Sequence, residues 1–175
     1  MAKRLLIIGN GFDIDLGLKT RYSDFSKSNN WKTLMKDTYL FDSDLLGVLL
    51  NAEEKDAWFD IEKTMNEYVR SIKPHDIVDN NINKDKANFE KVSDALSNYL
   101  KEEQENRILN KDSYAAQVLR MIVEVGGFGI YTFNYTNLEN IANSCDVKID
   151  SSKITHVHGS LENDSIILGI LTDPD

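Results

Sequence analysis

The sequence predicts an α/β fold: a mostly parallel sheet with a helical insertion, over about residues 31–125, after the first β-α unit. Three observations lead there. Leu5 to Ile8 is a continuous aliphatic run closed by Gly9, the pattern of a short buried strand. The middle of the chain sets apolar residues three and four apart among charged ones, the pattern of amphipathic helices. The last third breaks into short apolar runs separated by turn residues, which reads as strands alternating with short helices.

The elements follow in order. Arg4–Ile8 is the first strand, and Gly9-Asn10-Gly11 is the turn that ends it. Phe12 to Leu18 is a short helix weakened by Gly17. Thr20 or Ser23 is placed to cap a second one containing Tyr22 and Phe25. Trp58, Ile61, Met65, Tyr68, Val69 and Ile72 share one helical face, and Pro74 stops that helix. Residues 75–86, rich in Asn, Asp and Lys, read as a polar connection. Phe89, Val92, Leu96, Tyr99 and Leu100 stripe a longer helix, and residues 101–107 at its end read as a solvated face. Tyr114, Val118, Met121, Ile122 and Val125 mark a third helix, ended by Gly126-Gly127. Residues 128–133, 147–149, 154–157 and 165–170 are strand candidates, with a short helix over residues 137–144. No repeat and no long linker divides the chain, so one domain over residues 1–175 is expected.

Composition narrows the function. Lys and Arg number 20 against 29 Asp and Glu, a net charge of -9, which disfavours general nucleic-acid binding. Residues 1–30 depart from this, carrying Lys3, Arg4, Lys19, Arg21 and Lys27 against Asp13, Asp15 and Asp24. An anionic ligand would meet that end. Cys145 is the single cysteine, which excludes an intramolecular disulfide and a multi-cysteine zinc site. The apolar run at the start is too short for a signal-peptide core or a membrane span, so a cytoplasmic protein is expected.

Three polar motifs each follow a predicted strand: Gly9-Asn10-Gly11, Asn134-Tyr135-Thr136 and His158-Gly159-Ser160. In an open parallel sheet, ligands bind outside the carboxyl ends of the strands, where these motifs would converge. The two glycines let a backbone approach a phosphate, although the third glycine of the dinucleotide fingerprint is missing, and a plain strand-to-helix turn fits as well. Asp13 and Asp15 could cap the helix, contact a ribose or face water. Asn134 could hold a ribose hydroxyl or position a water, or Asn134 and Thr136 could simply cap the next helix. His156 and His158 sit two apart on a predicted strand, which puts both on one side. No third ligand is evident, so no metal is expected. His156 reads as a hydrogen-bonded core histidine. His158, before Gly159, fits a general base, since an unperturbed imidazole titrates near pH ~6.5. Glu62, four residues after Trp58, reads as structural, and Cys145 as inert.

These residues together resemble the AbiH family of bacteriophage abortive infection proteins. The matching runs are residues 6–13 (Leu-Ile-Ile-Gly-Asn-Gly-Phe-Asp), 17–25, 58–62 (Trp-Phe-Asp-Ile-Glu), 132–136 (Thr-Phe-Asn-Tyr-Thr), 156–159 (His-Val-His-Gly) and 167–169 (Ile-Leu-Gly). That family is similar to the Rossmann-like, sirtuin-like (or DHS-like) NAD-binding fold, with its Gly-Ala-Gly, Thr-Gln-Asn-Ile-Asp and His-Gly motifs in the same order. The resemblance implies that Asn134 contacts a ribose and that His158 is catalytic. It also implies that Gly9, Asn10, Gly11, Phe12, Asp13, Thr132 and Gly159 line the nucleotide site. NAD is the implied substrate or ligand, and the implied protein is a bacterial or phage-encoded defence effector. Phe133 and Thr136 replace the motif's Gln and Asp, and the paired zinc cysteines are missing, so a deacylase is not expected. Relatives are expected to continue past the strand at residues 167–169, whereas this sequence ends at Asp175. A final strand without its covering helix favours a homo-oligomer or partner protein at that C-terminal edge.

Overall fold

A computed structural model describes residues 4–39, 43–55, 59–72, 79–163 and 165–168. In chain order the elements are β1 (Arg4–Ile8), α1 (Asn10–Asp15), α2 (Tyr22–Phe25), α3 (Asn29–Leu34), α4 (Leu45–Lys55), α5 (Ile61–Ser71), α6 (Asp79–Asn106), α7 (Tyr114–Val125), β2 (Phe128–Thr132), α8 (Leu138–Ser144), β3 (Ile154–His156), β4 (Gly159–Ser160) and β5 (Ser165–Ile166). Of the described residues, 4–20 and 100–167 form one compact unit, and 21–99 with Leu168 form another.

The first unit is mixed α/β. Its three-stranded sheet has the order β1-β2-β3, and both pairings are parallel. Ile8 pairs with Thr132, and Thr132 with His156, so the three strands finish level with one another. Under the sheet, Ile8, Leu16, Leu18 and Ile130 pack with Ala115, Ala116, Leu119 and Ile122 of α7 and with Leu138, Ile141, Ala142 and Cys145 around α8. Ser113 caps α7 by accepting from the Ala116 N–H at 3.1 Å. Asp15 Oδ2 accepts from the Ala115 N–H at 2.7 Å, so this acid ties α1 to the start of α7 and does not cap its own helix.

Several expectations are corrected in this unit. β1 is not buried throughout: Leu5 is 58% and Ile7 65% exposed, because alternate residues of a strand face opposite sides and only one side is covered by the core. In α7 the buried face is Ala115, Ala116, Leu119 and Ile122, whereas Tyr114, Met121 and Val125 are exposed. Ala115 and Ala116 sit where α7 meets α1, whose Asp15 takes the Ala115 N–H, and their small side chains suit that close helix contact. Residues 147–149 are not a strand. Asp146, at φ 60, turns the chain after α8, and the Val147 N–H closes onto the Ala142 carbonyl at 2.9 Å. β5 pairs antiparallel with β4 and lies outside the parallel sheet. The end of α6 is not simply solvated: Glu103 accepts from the Lys19 N–H and from Arg107, and Gln104 accepts from the Asn137 N–H.

The second unit is helical. Phe25, Trp31, Phe59 and Tyr99 form its aromatic core, with ring centroids 5.4–5.5 Å apart. Neither Thr20 nor Ser23 caps α2. Its N-cap is Arg21, whose backbone N–H donates to Asp24. Asp60 caps α5, whose buried residues are Ile61 and Met65, while Val69 and Ile72 are exposed. Glu62 accepts from the Tyr22 hydroxyl at 2.8 Å, a structural role. α6 begins at Asp79, so the predicted polar connection is helical from there onward. Trp58, Pro74, His75 and Gly169 lie outside the described residues.

Candidate functional site

The level ends of β1, β2 and β3 set the three motifs side by side. The Phe133 N–H donates to the Ile8 carbonyl and the Val157 N–H to the Thr132 carbonyl, both at 2.9 Å. The ladder thus runs one residue past β2 and β3, and Gly9, Asn134 and His158 follow at one end of the sheet. That end is the carboxyl one, where open parallel sheets bind ligands.

Asp13, Asn134 and Thr136 meet there. Asp13 is 2% exposed. Its Oδ1 accepts from Asn134 Nδ2 and its Oδ2 from the Thr136 hydroxyl, each at 2.8 Å. Asn134 Nδ2 also donates to the Gly9 carbonyl at 3.2 Å. Burial pushes the Asp13 carboxyl up to about 6, against the two hydrogen bonds, which pull it down. Asp13 therefore neither caps α1 nor faces water. Asn134 and Thr136 do not cap α8 either. That cap is Asn137, whose side chain accepts from the Asn140 N–H at 2.9 Å.

Thr132, 1% exposed, accepts the Asn134 N–H at 3.1 Å and so fixes the backbone that carries the amide. Asn10 exchanges two hydrogen bonds with Thr20, one to its carbonyl and one from its hydroxyl. Gly9, at φ -131, and Gly11, inside α1, hold conformations that any residue adopts, and a Cβ on either would meet nothing within 4 Å. The chain's own packing does not require glycine at these two positions. The open space beside them fits close approach of a ligand backbone or phosphate.

The two histidines part company. β3 ends at His156, and Val157-His158 is a turn before Gly159 at φ 77, so strand alternation does not extend across them. His156 Nδ1 lies 3.4 Å from the Asn134 carbonyl, which it can reach as a donor in one tautomer. The His158 ring packs edge-on against Phe133 at 5.5 Å and near Tyr135 at 6.3 Å. The Tyr135 hydroxyl donates to the Ile167 carbonyl at 3.1 Å. Among the described residues, no group of three or more His, Cys, Asp or Glu side chains gathers as metal ligands do. Cys145 is buried, and burial raises its thiol pKa.

Sequence reasoning missed the partnership of Asp13 with Asn134 and Thr136. The residues lie more than 120 positions apart, beyond any periodicity. Asn134 and Thr136 stand two and four positions after the end of β2, a visible signal, whereas Asp13, five positions after the end of β1, shares no such spacing with them.

Fold and site define an α/β protein that gathers buried polar side chains at the carboxyl ends of a parallel sheet. A family model described as bacteriophage abortive infection AbiH matches residues 5–175. The chain belongs to the AbiH family, and so to proteins associated with abortive infection by phage. No curated protein and no solved structure matches it. Among the described residues, no helix is long and apolar enough to cross a membrane.

Proposed function

We propose that this chain is a phage-defence effector whose α/β unit is a sirtuin-like pocket that consumes NAD by hydrolysing its nicotinamide–ribose bond. The observation that carries the reading is the meeting of Gly9-Asn10-Gly11, Asn134 and the His158 turn at one sheet edge. Gly9 and the first turn of α1, through Phe12, would take the pyrophosphate in the space beside Gly9 and Gly11. Asn134 would hold a ribose hydroxyl, and Gly159 would let the backbone turn at the pocket mouth. Water adds to the ribose C1′ as nicotinamide departs with the bonding electrons, and His158 takes the proton the water loses. The site would favour the cationic sugar of the transition state by orientation and electrostatics.

The test is nicotinamide release from NAD, followed by chromatography, on the intact protein and on His158→Ala. A general base contributes on the order of a hundredfold or more, so the variant should lose that much rate. Equal release from both would sink the assignment of His158.

A second reading is a nucleotide sensor without turnover. It draws on the aromatic setting of His158, whose ring has no hydrogen-bonded side chain to orient it among the described residues. Catalytic bases are usually held by a third group. Saturable NAD binding with no product after long incubation would favour this reading.

A further inference from the structure

We infer that Asp13 is the positioning residue of this edge, fixing the Asn134 carboxamide with its nitrogen inward and its oxygen toward the ligand space. The inference deepens the pocket reading above, and its ligand half rests on it. The geometry leaves one solution. Asn134 Nδ2 faces two acceptors, the Asp13 carboxylate and the Gly9 carbonyl. An amide flipped by half a turn would set its oxygen against both, an acceptor-to-acceptor contact in a buried place. Both amide hydrogens are therefore committed, and Oδ1 has no hydrogen-bond partner among the described residues. No buried side-chain oxygen or nitrogen is left unpaired in the described structure, so Oδ1 is not sealed in. What the edge offers a ligand is an acceptor, which selects a hydroxyl donor such as a ribose and does not attract a phosphate oxygen.

Asp13 acts only through Asn134. Both of its oxygens are taken, by Asn134 and Thr136, and it is buried. This predicts which substitutions matter. Asp13→Asn can keep the arrangement, because its oxygen accepts from Asn134 and its nitrogen donates to the Thr136 hydroxyl, which accepts as readily as it donates. Asp13→Leu has similar volume and no acceptor, so it frees the amide.

The experiment reads the Asn134 side-chain amide by NMR, assigned by its disappearance in Asn134→Ala, together with NAD binding by calorimetry. In the parent and in Asp13→Asn, both amide hydrogens should exchange slowly with water. In Asp13→Leu they should exchange at least tenfold faster, and NAD affinity should fall by about tenfold or more, while Asp13→Asn stays within about threefold of the parent. Fast exchange in the parent overturns the inference. So does an Asp13→Leu protein that is folded, by its dispersed spectrum, with a protected amide. Loss of affinity in Asp13→Asn equal to that in Asp13→Leu, with the amide still protected, would show that the charge matters and not the orientation. A parent that does not bind NAD removes the NAD reading, and the exchange data alone then decide the positioning role.

Discussion

Asn134 Nδ2 lies 2.8 Å from Asp13 Oδ1 and 3.2 Å from the Gly9 carbonyl, so one amide joins the segments that follow β1 and β2. The two residues are 121 positions apart, and only the parallel pairing of β1 with β2 brings them together. The contact therefore reports on the topology as well as on the site.

The raised Asp13 carboxyl has a signed consequence for stability. Its ordinary value is 3.8 and burial lifts it to about 6. Between those values the folded protein holds the proton more tightly than the unfolded chain. This group's contribution thus falls as pH rises through that window and is constant above about 6. The shift corresponds to roughly 3 kcal/mol at neutral pH. Asp13→Asn should gain about 1–3 kcal/mol on the parent between about pH 4 and about pH 8, since some charge-assisted bonding is lost with the charge. Urea unfolding of both proteins across that range checks it. A difference that does not change with pH would place the carboxyl elsewhere than in this buried setting.

The aromatic seat of His158 yields a second expectation. Phe133 is 46% exposed, so its truncation should cost the fold little. It should nevertheless free the imidazole that packs edge-on against it. If His158 is the base, Phe133→Ala should lower nicotinamide release by about tenfold with a small change in NAD affinity, because base placement and not ground-state binding is affected. A fall in affinity with unchanged turnover would assign Phe133 to ligand contact instead.

In α7 the exposed and buried faces make opposite predictions for residues of similar size. Leu119 is fully buried, and Leu119→Ala should cost about 2–5 kcal/mol. Tyr114 is 79% exposed, and Tyr114→Ala should stay within about 0.5 kcal/mol. Thermal and urea unfolding of the two variants decide between this phasing and the one set by the large apolar residues.

That helix also shows how far the sequence was legible. The presence of α7 and its end at Gly126 are local properties that the sequence indicates, and the Ser113 cap is equally local, although it is not among the caps expected from the sequence. Its phase is not local. Ala115 and Ala116 face inward because α1 lies against that side, a fact held by a segment 100 positions away and absent from the helix's own pattern. The same division holds at the site. The Gly9, Asn134 and His158 motifs follow their strands as the sequence indicates, and parallel pairing brings them to one edge. The inward turn of Asp13 onto Asn134 and Thr136 was not visible, since no rule of spacing links residues across a crossover. β1 misled for a related reason: a continuous aliphatic run reads as two-sided burial, and only the covering layer decides how many sides are buried.

The glycines separate stability from ligand approach. Gly126 stands at φ 68 and ψ 176, a conformation that residues with a Cβ rarely hold. A Cβ there would meet nothing within 4 Å, so Gly126→Ala should cost about 1–3 kcal/mol through backbone strain alone. Gly11 lies inside α1 at ordinary helical angles, and a Cβ there also meets nothing. Gly11→Ala should leave the fold unchanged or stabilise it by up to about 1 kcal/mol. If a ligand uses the space beside the start of α1, the ranking inverts for binding: Gly11→Ala should weaken NAD by about tenfold or more, and Gly126→Ala, at the far end of β2, should not. Melting temperatures and calorimetric titrations on the two variants give both readings. Parent-like NAD affinity in Gly11→Ala would mean that nothing approaches the start of α1, and the open space would then be only a property of an exposed helix end.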